Sequence, residues 1–183
     1  MPRQVFLFDR PTRFVAGTVG QPGDRTFYLQ ATDEAGRTIS VALEKSQVQV
    51  LADRMSELLD EVATRAAVVV PPEADVDDLE PLTAPVDEEF RVAAMGLAWD
   101  GETDAVVVEA VAASDEPIDE DAILSDADEG PDALRVTITP SAARAFVARA
   151  RRVVAAGRPS CPLCSLPLDP SGHVCPRQNG YRR

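Results

Sequence analysis

Two stretches of short apolar segments, each followed by one long helical pattern, set the main constraint on how this chain can fold. The first stretch has four such segments, at 4–9, 13–19, 25–32 and 37–43. In the later ones, apolar side chains recur at every second position, which is the period of a β-strand with one buried face. Residues from about 46 to 66 then place apolar side chains three and four positions apart. That spacing predicts an amphipathic helix.

The second stretch repeats this order. It has three predicted strands, at 90–99, 105–112 and 134–139. Asp100-Gly101 is a strong hairpin signal between the first two, and a helix is predicted from Pro140 to about Ala156. Strands that precede helices and are joined by short turns indicate the α+β class. We therefore predict a mostly antiparallel sheet in two halves, each a strand meander plus one helix.

The two halves also share a local pattern where a strand leads into a helix. Aligning Ser46 with Ser141 places Leu51 on Phe146. An internal duplication would give this match. The general preference of helix N-termini for serine would give part of it as well, so both explanations stay open at the level of sequence.

Charge is distributed unevenly along the chain, whose formal net charge is -13. Residues 1–72 are balanced, with eight basic and nine acidic side chains. Residues 73–132 carry twenty-one acids and a single base, Arg91, whereas residues 133–183 carry nine arginines and a single acid, Asp169. Polar stretches rich in Pro, Asp and Glu tend to stay outside a core. The pattern therefore predicts an exposed acidic connector between the two halves.

These patterns predict four segments. They are a strand meander plus helix over 1–70, an acidic proline-rich connector over 71–89, strands with an acidic loop and second helix over 90–157, and a metal-binding module over 158–183. We expect the first and third segments to form one core, because each alone offers only a few strands and one helix.

The last segment contains all three cysteines and the only histidine of the chain. Cys161, Cys164, His173 and Cys175 follow the spacing C-x2-C-x8-H-x-C. Three thiolates and one imidazole are the ligand set of a closed, tetrahedral structural zinc site. We predict a structural Zn2+ in a small knuckle or ribbon. A tail with incidental cysteines, an iron–sulfur centre and a catalytic metal are the alternatives.

The same residues bear on cellular location and on catalysis. Cysteines at metal-ligand spacing favour a reducing compartment, and no apolar run approaches the ~20 residues of a membrane helix. We predict a cytoplasmic protein without membrane contact. With His173 a metal ligand, no histidine remains for acid–base catalysis or for a Ser-His-Asp triad. No phosphate-binding glycine loop precedes a helix either.

Basic side chains flank the predicted metal module. The candidates for partner binding are Arg144, Arg149, Arg151, Arg152, Arg158, Arg177, Tyr181, Arg182 and Arg183. They could form a docking surface for a protein, or bind nucleic acid through phosphate contacts and stacking on Tyr181. Alternatively, they could pair with the acidic segments of the same chain or form a solvated helix face.

The most distinctive segments lie at the two ends of the chain. They are Phe8-Asp9-Arg10-Pro11, Arg13 to Gly20, Cys161-Pro162-Leu163-Cys164 and His173-Val174-Cys175-Pro176-Arg177-Gln178-Asn179-Gly180-Tyr181-Arg182-Arg183. With these segments as its clearest match, the whole chain resembles an actinobacterial family of unknown function. The resemblance implies a cytoplasmic protein and no particular activity.

Taken together, the sequence favours a non-enzymatic, zinc-binding interaction or adaptor protein that binds other proteins. The first alternative is a nucleic-acid-binding protein that uses the arginine-rich helix and the zinc module. The second is an enzyme or enzyme subunit with a carboxylate site that the sequence does not reveal.

Overall fold

The computed structural model describes residues 2–65, 68–75, 77–115, 123–157, 161–164, 168, 173 and 175–177. Its strands are β1 (Val5–Asp9), β2 (Arg13–Gln21), β3 (Asp24–Thr32), β4 (Thr38–Leu43), β5 (Glu88–Asp100), β6 (Ala105–Ala112) and β7 (Ala133–Ile138). Its helices are α1 (Lys45–Arg65) and α2 (Pro140–Ala155). Every predicted strand and helix is present, with bounds within two residues of those expected. Neither described helix is long and apolar enough to cross a membrane.

The strands form one seven-stranded sheet in the order β1-β7-β6-β5-β4-β3-β2. The α+β class is confirmed, but the prediction of a mostly antiparallel sheet is wrong. The sheet is mixed, because β4 pairs with β5 in parallel and β1 pairs with β7 in parallel. Parallel neighbours need a crossover connection of a dozen residues or more, and α1 with the connector provides it between β4 and β5. Local periodicity does not reveal such distant pairings.

The sheet is strongly curled. Only three residues separate β1 from β2, and the four steps from Asp9 to Arg13 reach about 14 Å at most. A flat sheet would hold these two outermost strands about 29 Å apart, at about 4.8 Å per strand. Arg37, beside the far hairpin, confirms the curl: it donates to the carbonyl oxygen of Leu7 at 2.7 Å and lies 4.4 Å from the ring centre of Phe8.

When the two halves are compared, strands β1 and β2 together correspond to the single strand β5. The first residues of β5 pair with β4, as Ser40 with Glu88, and the remainder pairs with β6. In the same way β1 pairs with β7 and β2 pairs with β3. The interruption at Arg10–Thr12 therefore splits one long strand into two.

The two halves share this layout in detail. At the offset that aligns Ser46 with Ser141, the bounds of β4 match those of β7 and the first residues of the helices coincide. The buried residues Val48, Leu51, Ala52 and Met55 of α1 fall on the buried residues Ala143, Phe146, Val147 and Ala150 of α2. Helix α1 packs on β5, and α2 packs on β2. The two halves therefore match in strand bounds, helix starts and buried helix positions, and not only in the aligned serines.

Capping fixes where the helices begin. Thr139 has extended backbone angles and its hydroxyl accepts a hydrogen bond from the backbone N–H of Ala142 at 3.2 Å, while Pro140 opens α2. The Gln47 side chain accepts from the backbone N–H of Glu44 at 2.8 Å, so α1 has a related cap. These caps fix the first turn of each helix, and buried residues of both helices pack into one hydrophobic core.

Candidate metal centre

The four predicted ligands come together after α2. The Sγ atoms of Cys161 and Cys175 are 3.8 Å apart, and Cys164 Sγ is 3.2 Å from His173 Nε2. All four donor atoms lie within 4.8 Å of one another. None of the three cysteines belongs to a disulfide, so each can offer a sulfur to a metal ion.

These distances fit a single tetrahedral ion. Zinc–sulfur bonds of about 2.3 Å place two sulfurs of a tetrahedron about 3.8 Å apart, as Cys161 and Cys175 are. A disulfide would require a separation of about 2.05 Å. Three soft thiolates and one imidazole are also the donors that zinc prefers. The residues present therefore fit a metal ion, and they are compatible with zinc.

Local backbone geometry favours the thiolate form of Cys161. The backbone N–H groups of Cys164 and Leu163 donate to its sulfur and lower its pKa to about 6, although burial alone would raise it. Hydrogen bonds to a charged form stabilise that form. Since the thiolate is the form that binds metal, the turn prepares this ligand at neutral pH.

Two basic residues lie where the chain leaves α2 for the cluster. The Arg25 guanidinium donates to the carbonyl oxygens of Ala156 at 2.9 Å and Val153 at 3.2 Å. The Lys45 ammonium lies beside Gly157. Positive charge at a helix C-terminus complements the exposed carbonyl groups there. Sequence reasoning missed both residues, because nothing local links β3 or the start of α1 to the end of α2.

The arginines of α2 bind the acidic connector. Residues 71–75 and 77–83, which we call the strap, run along α2 and around the β2 edge. Arg149 is 5% exposed. Its guanidinium donates to the carbonyl oxygen of Ala16 at 2.8 Å, to a carboxylate oxygen of Asp78 at 2.8 Å and to the carbonyl oxygen of Glu80 at 2.7 Å. One buried side chain thus joins α2, the edge strand and the strap.

Further residues bind the strap along its length. Arg144 donates to the carbonyl oxygen of Pro71, Arg152 pairs with Asp77, and Arg13 pairs with Asp78 at 2.6 Å. Beyond these ion pairs, Leu82 packs against Gly17, and the Gln30 side chain makes two hydrogen bonds with the backbone of Thr83. The connector is therefore attached to the fold by both charge and packing.

The remaining predicted binding residues lie elsewhere. Arg151 is on the exposed side of α2, where it pairs with Asp53 of α1 at 3.1 Å. Arg177 is exposed beside the metal ligands. Four candidates, Arg158, Tyr181, Arg182 and Arg183, lie outside the described residues. Partner binding by this set stays a prediction. Within the set, Arg149 is already bound to the strap.

A buried carboxylate escaped the sequence analysis. Glu109 of β6 is fully buried, on the opposite face of the sheet from the helices. It forms ion pairs with Arg3 and with Arg135, the latter at 2.5 Å, and accepts from the backbone N–H of Leu124 at 3.1 Å. The network ties the N-terminal segment and the loop before β7 to the sheet. A lone glutamate inside an apolar strand was the signal available.

Asp78 is expected to make the strap sensitive to acid. The hydrogen bond from Arg13 is the main cause that lowers the pKa of Asp78 below its usual value of 3.8, burial opposes this, and the Arg149 charge adds to the lowering. A lowered pKa stabilises the folded state above the unfolded pKa, and this stabilisation is lost as pH falls below 3.8.

We therefore expect Asp78→Asn to be less stable than the wild type at neutral pH. The difference should shrink as the pH falls from neutral through 3.8 and below. Urea denaturation across that range measures it. A difference that stays constant with pH would contradict the role given to the Asp78 charge.

Fold and site together define a class, namely an α+β protein with a curled mixed sheet, two helices and a Cys3His cluster that can hold a metal ion. The chain belongs to the family described as "Protein of unknown function (DUF3090)", which matches residues 6–175, from β1 to the last ligand. No curated protein and no solved structure matches the chain. The expectation of a family of unknown function is confirmed, and the function has to be argued from the site.

Proposed function

We propose that the protein is a zinc-binding interaction protein in which Cys161, Cys164, His173 and Cys175 hold one structural Zn2+ ion. The observation that carries this is the convergence of four zinc-type donor atoms within 4.8 Å. Four protein ligands fill a tetrahedral zinc ion and leave no position for water or substrate. Such an ion stabilises the surface around it and does not take part in a reaction.

The donor set favours zinc over an iron–sulfur cluster. Iron–sulfur clusters are held mostly by four cysteines, and their ligands are distributed over two or more iron ions. Here one ligand is an imidazole, and the four donor atoms are close enough together to share one ion. Because thiolate ligands need reducing conditions to stay unpaired, we place the protein in the cytoplasm.

A protein is the favoured partner for the surface around the metal. Leu163 lies between two ligands and is 47% exposed, so the knuckle presents an apolar side chain next to the exposed Arg177. A nucleic-acid surface would need free arginines along α2, but Arg144, Arg149 and Arg152 bind the strap. The interaction role therefore rests on the metal module rather than on α2.

Metal analysis tests the zinc assignment. We expect about one zinc per chain, by elemental mass spectrometry, in protein purified without a metal-binding tag. Cys161→Ser should lose it, because a hydroxyl is a poor zinc ligand. Leu163→Ser is the matched control and should keep it, because this side chain offers no donor atom in the wild type. A wild type that contains no zinc, or iron in its place, would contradict the proposal.

A salt titration distinguishes protein from nucleic acid as the partner. We expect no binding of the zinc-loaded protein to labelled duplex DNA or single-stranded RNA near 0.15 M salt, measured by fluorescence anisotropy. Phosphate-dependent binding weakens steeply as salt rises. Binding that shows this steep dependence would overturn the protein-partner assignment and leave the zinc assignment intact.

A further inference from the structure

The three cysteines of the metal centre differ in exposure. Cys161 and Cys175 are 5% and 2% exposed, whereas Cys164 is only half-buried and follows the exposed Leu163. His173, the neighbour of Cys164 at 3.2 Å, is half-buried as well. A small oxidant in solution therefore reaches one sulfur ligand more readily than the other two.

The exposure of each thiolate decides which one is oxidised first. The position of the other thiols relative to that sulfur decides which of them then forms the disulfide. Thiolates that solvent can reach are the ones that peroxides convert to sulfenic acids, and a second thiol nearby condenses with the product. Cys161 is three residues from Cys164, and its sulfur is among the donor atoms that lie within 4.8 Å of one another. A pair at this spacing can close a disulfide after a small movement of the turn.

Resting on the zinc site proposed above, we propose that the cluster is a peroxide-sensitive switch. Cys164 is its oxidant-sensing ligand, and Cys161 is the resolving thiol. Oxidation converts the metal-bound knuckle into a disulfide-bonded turn and releases the zinc. The switch thereby regulates the surface around the metal, which is the surface that we assign to partner binding.

The reaction balances with hydrogen peroxide as the oxidant. The Cys164 thiolate attacks one peroxide oxygen, the O–O bond breaks, and the products are the sulfenic acid and one hydroxide, which leaves as water after taking up a proton. The Cys161 thiolate then attacks the Cys164 sulfur, an S–S bond forms as the S–O bond breaks, and the sulfenic oxygen leaves as hydroxide, which takes up a second proton to become water. Two electrons pass from the two thiolates to peroxide, and the zinc ion keeps its charge.

Loss of these two ligands leaves only His173 and Cys175. A structural zinc site depends on all of its protein ligands, so we expect the ion to dissociate. Reduction of the disulfide and addition of zinc should restore the cluster, because neither thiol has passed beyond the reversible stage.

Peroxide titration of the zinc-loaded full chain tests the switch. A zinc-binding dye follows release, and peptide mass spectrometry identifies the disulfide. We expect the wild type to release its zinc with a Cys161–Cys164 disulfide as the first product. Cys164→His keeps four zinc ligands but removes the sensing sulfur, so we expect zinc release to be at least about tenfold slower. Arg151→Ala is the control outside the metal centre, since its side chain is 54% exposed and pairs with Asp53 of α1, and it should release zinc at the wild-type rate.

The outcomes separate the two proposals. A wild type that holds zinc and keeps it under peroxide overturns the switch and leaves the zinc assignment standing, whereas a chain without zinc overturns both. A first disulfide between Cys161 and Cys175, or zinc release from Cys164→His as fast as from the wild type, overturns the roles given to Cys164 and Cys161. Disulfide mapping of the wild type decides the matter even where a variant does not load zinc.

Discussion

Glu109→Ala is expected to lower the free energy of unfolding by about 3–5 kcal/mol, the cost typical of breaking a buried ion pair by removal of one partner. The side chain of Glu109 is fully buried, and that of Arg3 is 3% exposed. Without the carboxylate, the guanidinium groups of Arg3 and Arg135 would remain close together in a site that water hardly reaches. Urea denaturation followed by circular dichroism measures the change.

A matched control lies in the hairpin before the same strand. Glu102 is exposed in the turn between β5 and β6, so Glu102→Ala should change stability by no more than about 0.5 kcal/mol. Glu109→Gln keeps the shape of the side chain but not its charge. Its loss of stability should lie between those of Glu102→Ala and Glu109→Ala. A loss below about 1 kcal/mol for Glu109→Ala would show that the ion-pair network does not stabilise the sheet.

Arg149→Ala is expected to have the second large effect, again about 3–5 kcal/mol. The substitution removes donors to the carbonyl oxygens of Ala16 and Glu80 and to the Asp78 carboxylate. Buried acceptors without a donor are costly. The strap should then detach locally, so a protease that cleaves before aspartate should cut at Asp78 well before the domain unfolds.

Arg151→Ala is the control for that variant. It lies two residues further along the same helix, but its side chain is 54% exposed and its ion pair with Asp53 is on the surface. Exposed pairs contribute about 0–1 kcal/mol, so both stability and protease resistance should stay near the wild-type values. Equal behaviour of the two variants would contradict the role of Arg149 in fastening the strap.

Local elements of this fold follow from the sequence because their causes are local. Period-two alternation, the Asp100-Gly101 turn and the helical apolar stripes predict all nine elements. The pairing of β1 with β7 is different. It joins Val5 to Ala133, and no pattern within either strand specifies so distant a neighbour. The mixed sheet was therefore beyond prediction by periodicity.

The residues of the candidate site also divide into those that the sequence could predict and those that it could not. The metal ligands could be predicted because zinc requires particular atoms at close spacing, and three cysteines and one histidine satisfy that requirement within one short segment. The arginines of α2 could not be assigned, since a guanidinium binds the strap, a protein or a phosphate by the same chemistry. Only the fold shows that Asp77 and Asp78 lie against Arg152 and Arg149.

The pairing of β1 with β7 also has a consequence for biosynthesis. Residues 5–9 leave the ribosome long before residues 133–138, the strand with which they pair. Contacts between residues so distant in sequence slow folding, because a long loop must close before they form. The apolar β1 segment therefore has no partner strand until β7 has been translated. A nascent chain that ends before β7 should expose it, and that interval is when the protein would most need a chaperone.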